Sequence, residues 1–376
     1  MMNFLQDRFP LIYDSRNKAL MTTSKFFTPV LFCGTLLIVI SYITDLIYTK
    51  TALLNLGETT SVASSIYSIG SIISKLSLPF ISMMTAFFTG GVYAIVSGII
   101  GGILIISGST SQNITGSITG VSGVLGCIAA GYLGGYTAKL LRKIFVKKPS
   151  RTSLEIFFPA LSLVLTLLGV LAINSISAYL SSASNTLLVF TGEKQSIILP
   201  VLLGLFITAD PGGPLFLSAY IFGASSLATG QSQIMAAVAA AGMVPALSIG
   251  LFAFLYKERL EPFERVTAYC ASAASLAGIS QLSFPFYVSR SYKFILPCVP
   301  GGCISAILTV LFKCRTDFPM GGFITFTRQG KPLFFLVAII CGVITSTALM
   351  SLTIKSKDTE EGTDGAGKPN HKFAQA

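Results

Sequence analysis

Hydrophobic positions fall in long runs separated by short polar connectors, and the lengths of the runs set the first expectation. The run from Phe26 to Tyr48 is long enough for one membrane crossing, which takes about 20 apolar residues. From Ser61 to Ser107 the sequence is apolar but interrupted by Lys75, Pro79 and Gly90-Gly91, which predicts two helices joined tightly at the glycine pair. Gly108 to Ser117 is polar and uncharged, as expected of an outer loop. A glycine-rich helix, VSGVLGCIAAGYLGGYTAKLLRKIFVKK, follows and ends in Lys139, Arg142, Lys143, Lys147 and Lys148. The next span is expected at Ile156 to Tyr179, giving way to an outer loop at SSASNTLLVFTGEKQ.

The region from Ser196 to Leu227 differs in kind. Its centre, LGLFITADPGGPLFLSAYIFG from Leu203 to Gly223, is apolar on both sides of an acid, two prolines and two glycines. A span at Ile234 to Tyr256 leads into KERLEPFERV, whose alternating charges read as a solvated cytoplasmic face. Three further runs, Ala268 to Val288, Ile295 to Leu311 and Leu333 to Ile354, make an odd number of crossings. The basic tail calls for an even one, so a broken or re-entrant element is expected within Pro285 to Pro332. The fold class that follows is an all-α polytopic membrane protein with roughly nine or ten transmembrane helices and re-entrant hairpins in its C-terminal half.

Composition supports this and narrows the function. The 376 residues are 52% hydrophobic and 11% charged, with a mean hydropathy of +0.75, which excludes an ordinary soluble core. The net charge of +11 does not point to nucleic acid, because the basic residues flank apolar runs as membrane topology demands. They place both termini in the cytoplasm. Seven scattered cysteines and one histidine offer no zinc site and no disulfide framework, so no metal and no cofactor are expected. Residues 1–25 are a cytoplasmic segment without the apolar core of a signal peptide, and residues 355–376 read as a disordered tail.

Candidate chemistry centres on the interruptions. Breaking a helix inside a bilayer frees N–H and C=O groups that lipid cannot satisfy, so the break belongs where protein or a water-filled cavity surrounds it. Asp210 therefore has two readings: an acceptor for ligand hydroxyls, or a cap for the freed N–H groups. Gln281 either hydrogen-bonds a ligand or bridges helices. Arg290 and Lys293 fit snorkelling to the interface better than an anion site. Packing between helices suits Phe284, Phe286 and Tyr287 better than stacking on a ring.

Four motifs occur in a recognisable order: ADPGGPLFLSAYIFG from Ala209, AAAGMVPALSIGLF from Ala239, LAGISQLSFPF from Leu276 and FPMGG from Phe318. Together they resemble the fructose-type membrane component, enzyme IIC, of the bacterial phosphoenolpyruvate-dependent sugar phosphotransferase system. SGVLGCIAAGYLGGYTAKLLRKIF and FTPVLFCGTLLIVI agree more loosely with that family's earlier helices, and the order holds from about Phe26 to Ile354. The departures fall on polar positions. Gln281 stands for the family's glutamate, Leu282 for its glycine, Phe216-Leu217 for Asn-Lys, Met320 for the histidine of PHGG, and Arg290 for an aspartate.

The resemblance implies a homodimeric sugar permease of the bacterial inner membrane. Residues 26–180 would form its scaffold and dimerisation half, and residues 196–354 its substrate half. Asp210, Gly212, Gly213, Ser280, Gln281, Pro285, Met320 and Gly321 are the implied sugar-site residues. No catalytic residue is implied, because the phosphoryl donor would be a cysteine on a separate cytoplasmic EIIB component, itself served by EIIA. Two other readings stay open at this stage: a transport-inactive scaffold or sensor of the same fold, and an ion-coupled secondary transporter.

Overall fold

The computed structural model describes residues 27–45, 62–107, 122–145, 157–193, 197–210, 212–276, 278–279, 281–289, 291–317, 321–322 and 330–354. Every regular element among them is a helix. In chain order they are α1 (Phe27–Asp45), α2 (Val62–Gly90), α3 (Ile95–Ser107), α4 (Gly123–Phe145), α5 (Phe158–Glu193), α6 (Ile198–Ala209), α7 (Pro214–Ala228), α8 (Ser232–Leu255), α9 (Pro262–Leu276), α10 (Phe284–Ser289), α11 (Ser291–Leu311) and α12 (Pro332–Thr353). Among the described residues seven helices are long and apolar enough to cross a membrane, and α3, α6 and α7 are shorter apolar ones. The chain is an all-α, multi-pass membrane protein.

Helices α2 to α5 pack on one another, and α6, α8, α11 and α12 form a second group, with α5 against both α6 and α7. Small residues set the closeness of these crossings, as expected where lipid supplies no hydrophobic drive between helices. A Cβ on Gly204 of α6 would lie 2.6 Å from the Cα of Cys303 on α11. Between the two groups runs α1. Its Phe27, Leu31, Ile38 and Tyr42 share a buried cluster with Val124 of α4 and with Ile279, Leu282 and Phe284 from the segment after α9.

The broken region is a hairpin. Helices α6 and α7 have 12 and 15 residues, or about 18 and 22 Å at 1.5 Å per residue. That is short of a hydrocarbon core of about 30 Å. A second hairpin comes from the opposite face. Helix α9 runs antiparallel to α8, with Tyr269 Oη donating to Ala253 O (3.3 Å) and Ser275 Oγ to Met243 O (3.2 Å). The chain then turns back, because Phe286 and Tyr287 of α10 pack with Phe252, Ala253, Leu260 and Ile354 at the end where α8 finishes.

This corrects three expectations. Ala268 to Val288 is not a crossing but the core of the second hairpin, which leaves α11 and α12 as the last two helices of crossing length. The stretch between α11 and α12 does turn inward: Thr316 N bonds Ser232 O at 3.3 Å near the start of α8, while Gly321 packs on Ala239 two turns further in. The outer loop expected at SSASNTLLVFTGEKQ is helix as far as Glu193. That segment lacks proline, and its hydroxyls bond back along the helix, Ser184 Oγ to Leu180 O (2.7 Å) and Thr191 Oγ1 to Leu187 O (2.9 Å).

Arg259 is the third. It is no mere solvated charge, since its Nη1 donates to Ser351 O (2.7 Å) and Ile354 O (2.8 Å) at the end of α12. Beside it Glu264 accepts from the Glu261 N–H at 2.9 Å, the reciprocal contact that caps a helix start. The joint at Gly90-Gly91 is as expected, Gly91 taking a φ of 79° between α2 and α3. The N-terminal segment, the loop at Gly108 to Ser117 and the C-terminal tail lie outside the described residues.

Candidate functional site

The tip of the first hairpin is built from Asp210 outward. Helix α6 stops at Ala209, and α7 begins at Pro214 behind Gly213, proline being suited to a first helical position that needs no N–H. Asp210 folds its carboxylate over the turn: Oδ2 accepts from Leu215 N at 3.1 Å, and its carbonyl accepts from Gly213 N at 3.1 Å. A Cβ on Gly213 would overlap that carboxylate. Gly212 takes a φ of 80°, a left-handed turn that glycine adopts at little cost.

Both readings of Asp210 thus meet in one side chain. Oδ2 caps α7. Oδ1 is buried and has no hydrogen-bond partner among the described residues, in a residue only 7% exposed. An orphaned buried carboxylate oxygen costs more than an ordinary lost hydrogen bond. Oδ1 is thus a buried acceptor left over after the cap is made, among the described residues.

The returning arm of the second hairpin reaches the first hairpin through one bond. Tyr287 of α10, buried, donates its hydroxyl to Thr208 O at 3.1 Å, a carbonyl in the last turn of α6 that the broken helix leaves without an intrahelical partner. Phe284 packs edge-on to Phe27 and Phe286 edge-on to Phe294, so these aromatics are packing groups. Gly278, with a φ of 87°, lies directly on the Gly321 carbonyl. The third and fourth motifs therefore touch, and Gly321 also meets Ala239 of the second.

A third element closes the arrangement. Gly123, the first residue of α4, sits against the Gly212 carbonyl, while its neighbour Val124 joins the cluster holding Ile279 and Leu282. Ser122 Oγ donates to Asn174 Oδ1 of α5 (2.7 Å), and Asn174 Nδ2 donates to Leu104 O of α3 (3.2 Å). One asparagine thus pins the start of α4 beneath the Asp210 turn.

Of the residues singled out in the sequence, Asp210, Gly212 and Gly213 form one turn, and Gly321 meets the other hairpin at Gly278. Pro285 is buried in α10. Ser280, Met320, Arg290 and the side chain of Gln281 lie outside the described residues. Among the described residues no group of histidine, cysteine or acidic side chains could hold a metal. Sequence reasoning passed over Tyr287 as a polar link, and missed Gly123, Ser122 and Asn174. An asparagine within an otherwise apolar span is the signal that could have found the last of these.

No family model matches the chain. Residues of the chain are 35% identical over 154 positions to the PTS system fructose-specific EIIB'BC component of Vibrio cholerae, covering 40% of this chain and 27% of that protein. They are 27% identical over 241 positions to the fructose permease IIC component of Bacillus amyloliquefaciens, covering 62% and 78%. The PTS system fructose-specific EIIABC component of Mycoplasma pneumoniae is 27% identical over 325 positions, covering 82% of this chain and 47% of its own length. The match thus spans about a quarter of the Vibrio protein and under half of the Mycoplasma one.

Proposed function

We infer that this chain, a divergent member of the fructose-type EIIC components, is the sugar permease subunit of a phosphotransferase system. The observation that carries a retained site is the unpartnered, buried Asp210 Oδ1 at the tip of the first hairpin. A carboxylate there accepts sugar hydroxyls with charge assistance, at about 1.5–3 kcal/mol each. Gly212 and Gly213 bring backbone close to the solute, and the family resemblance assigns Ser280, Gln281, Pro285, Met320 and Gly321 to the same site. An orphaned oxygen kept in so costly a place argues against a transport-inactive scaffold.

In this reading the basic end of α4, with Arg142 and Lys143 in its last turn, faces the cytoplasm, and both termini with it, in a bacterial inner membrane. EIIB docks on that face and phosphorylates the sugar as it arrives. EIIB and EIIC segments share one chain in relatives named EIIB'BC and EIIABC. Residues 26–180 form the scaffold through which two copies pair, and residues 196–354 move the sugar. The test is phosphoenolpyruvate-dependent phosphorylation of a sugar panel by vesicles carrying the chain with a cognate EIIB. Phosphorylation that Asp210→Asn abolishes supports the reading, and a panel with no phosphorylated member ends it.

A further inference from the structure

At the face opposite the basic end of α4, the mouth of the first hairpin opens on a cavity of about 570 Å³, within the range that holds small ligands. Leu199 and Leu203 of α6 form its apolar wall. Gln231 of the α7–α8 turn, Ser232 and Gln233 at the start of α8, and Arg315 beyond α11 supply its polar one. A smaller hollow of about 250 Å³ shares Gln231 and adds the hydroxyls of Ser225 and Thr229. No carboxylate lines either cavity among the described residues. The side chains of Gln231, Gln233 and Arg315 have no hydrogen-bond partner among the described residues.

We propose that this cavity is an outer vestibular site for a neutral, hexose-sized polyhydroxylated molecule, held between the Arg315 guanidinium and the Gln231 and Gln233 amides. Planar donors and amides suit vicinal hydroxyls, which both donate and accept. Position adds the second argument. Leu199, Leu203, Phe206 and Ile207 recur at helical spacing on one face of α6 that ends beside Asp210. From Leu203 to Asp210 is about 10 Å along the helix. Phe206 and Ile207, both buried, stand between, so the vestibule and the Asp210 turn are separate compartments on one path.

The identity of the solute rests on the permease reading; the cavity's capacity to bind does not. The test uses the purified full chain carrying Ser232→Cys as a reporter, labelled with a bulky water-soluble maleimide and read by peptide mass spectrometry. D-fructose, D-glucose and D-mannitol are the probes. At about ten times its Kd, a bound probe slows labelling about tenfold, since protection follows 1 + [L]/Kd.

Protection that persists in Asp210→Asn and is lost in Arg315→Gln is the expected result. Arg315 is exposed, and an unchanged melting curve shows that its replacement leaves the fold intact. Overturning the site would take no protection by any probe, or protection lost in Asp210→Asn and kept in Arg315→Gln. Protection without phosphoenolpyruvate-dependent phosphorylation removes the permease reading and leaves the vestibule standing. Phosphorylation without protection removes the vestibule alone.

Discussion

Replacing Tyr287 with phenylalanine deletes one oxygen and tests how the two hairpins are coupled. The hydroxyl donates to Thr208 O at 3.1 Å, in a residue 4% exposed. The bond contributes about 1 kcal/mol net, and the buried carbonyl left behind costs about 1–3 kcal/mol. With no other donor described near Thr208 O, the sum points to a loss of about 2–4 kcal/mol. Unfolding by SDS in mixed micelles measures this directly, since the ring still fills its place.

Sugar affinity supplies the second readout. If Tyr287 holds the Asp210 turn in place, Tyr287→Phe and Asp210→Asn weaken binding non-additively, with an interaction energy of about 0.5–3 kcal/mol in a double-mutant cycle. A stability change under about 0.5 kcal/mol, or strictly additive effects on affinity, would refute the coupling.

The remaining predictions concern neighbouring parts. Asp210→Asn retains a side-chain oxygen that can cap α7 but loses charge assistance, so sugar binding in equilibrium dialysis falls about 10- to 150-fold while helix content by circular dichroism is unchanged. Gly213→Ala forces the carboxylate off the turn, and both binding and thermal stability fall. Asn174→Leu leaves Ser122 and the Leu104 carbonyl unpaired at the start of α4, costing about 1–3 kcal/mol in SDS unfolding and weakening sugar affinity although Asn174 lies outside the proposed pocket. Arg259→Ala frees the last carbonyls of α12; Arg259→Lys restores part of the stability, and hydrogen exchange at Ser351 to Ile354 reports the difference.

What the sequence displays clearly is whatever depends on one segment at a time. The span at Phe26 to Tyr48, the glycine joint at residues 90–91 and the break at Asp210 are local patterns of hydrophobicity and backbone chemistry, and each is found within a few residues. The fold-back after Leu276 was hidden because a hairpin inside a membrane is as apolar as a straight crossing. Its marks are Gly278 and Pro285, which a kinked span could also carry. The continuation of α5 through Ser181 to Asn185 was hidden for the converse reason: hydroxyls that look like a loop bond to their own helix. Contacts such as Tyr287 with Thr208, or Gly123 with Gly212, join residues 79 and 89 positions apart in the numbering, and no periodicity reports them.

The 36 residues of α5 make a rod of about 54 Å. Even leaning at about 40°, near the limit for transmembrane helices, the rod rises about 41 Å against a hydrocarbon layer of about 30 Å. Some ten residues must therefore stand clear of the oily layer. If they are the last ones, the stretch from Ser184 to Glu193 becomes a mast at the membrane surface opposite the basic end of α4, and Gly192, which borders both hollows, is held in the headgroup zone. A solute would then enter sideways from water at that height, without first dissolving in the acyl chains.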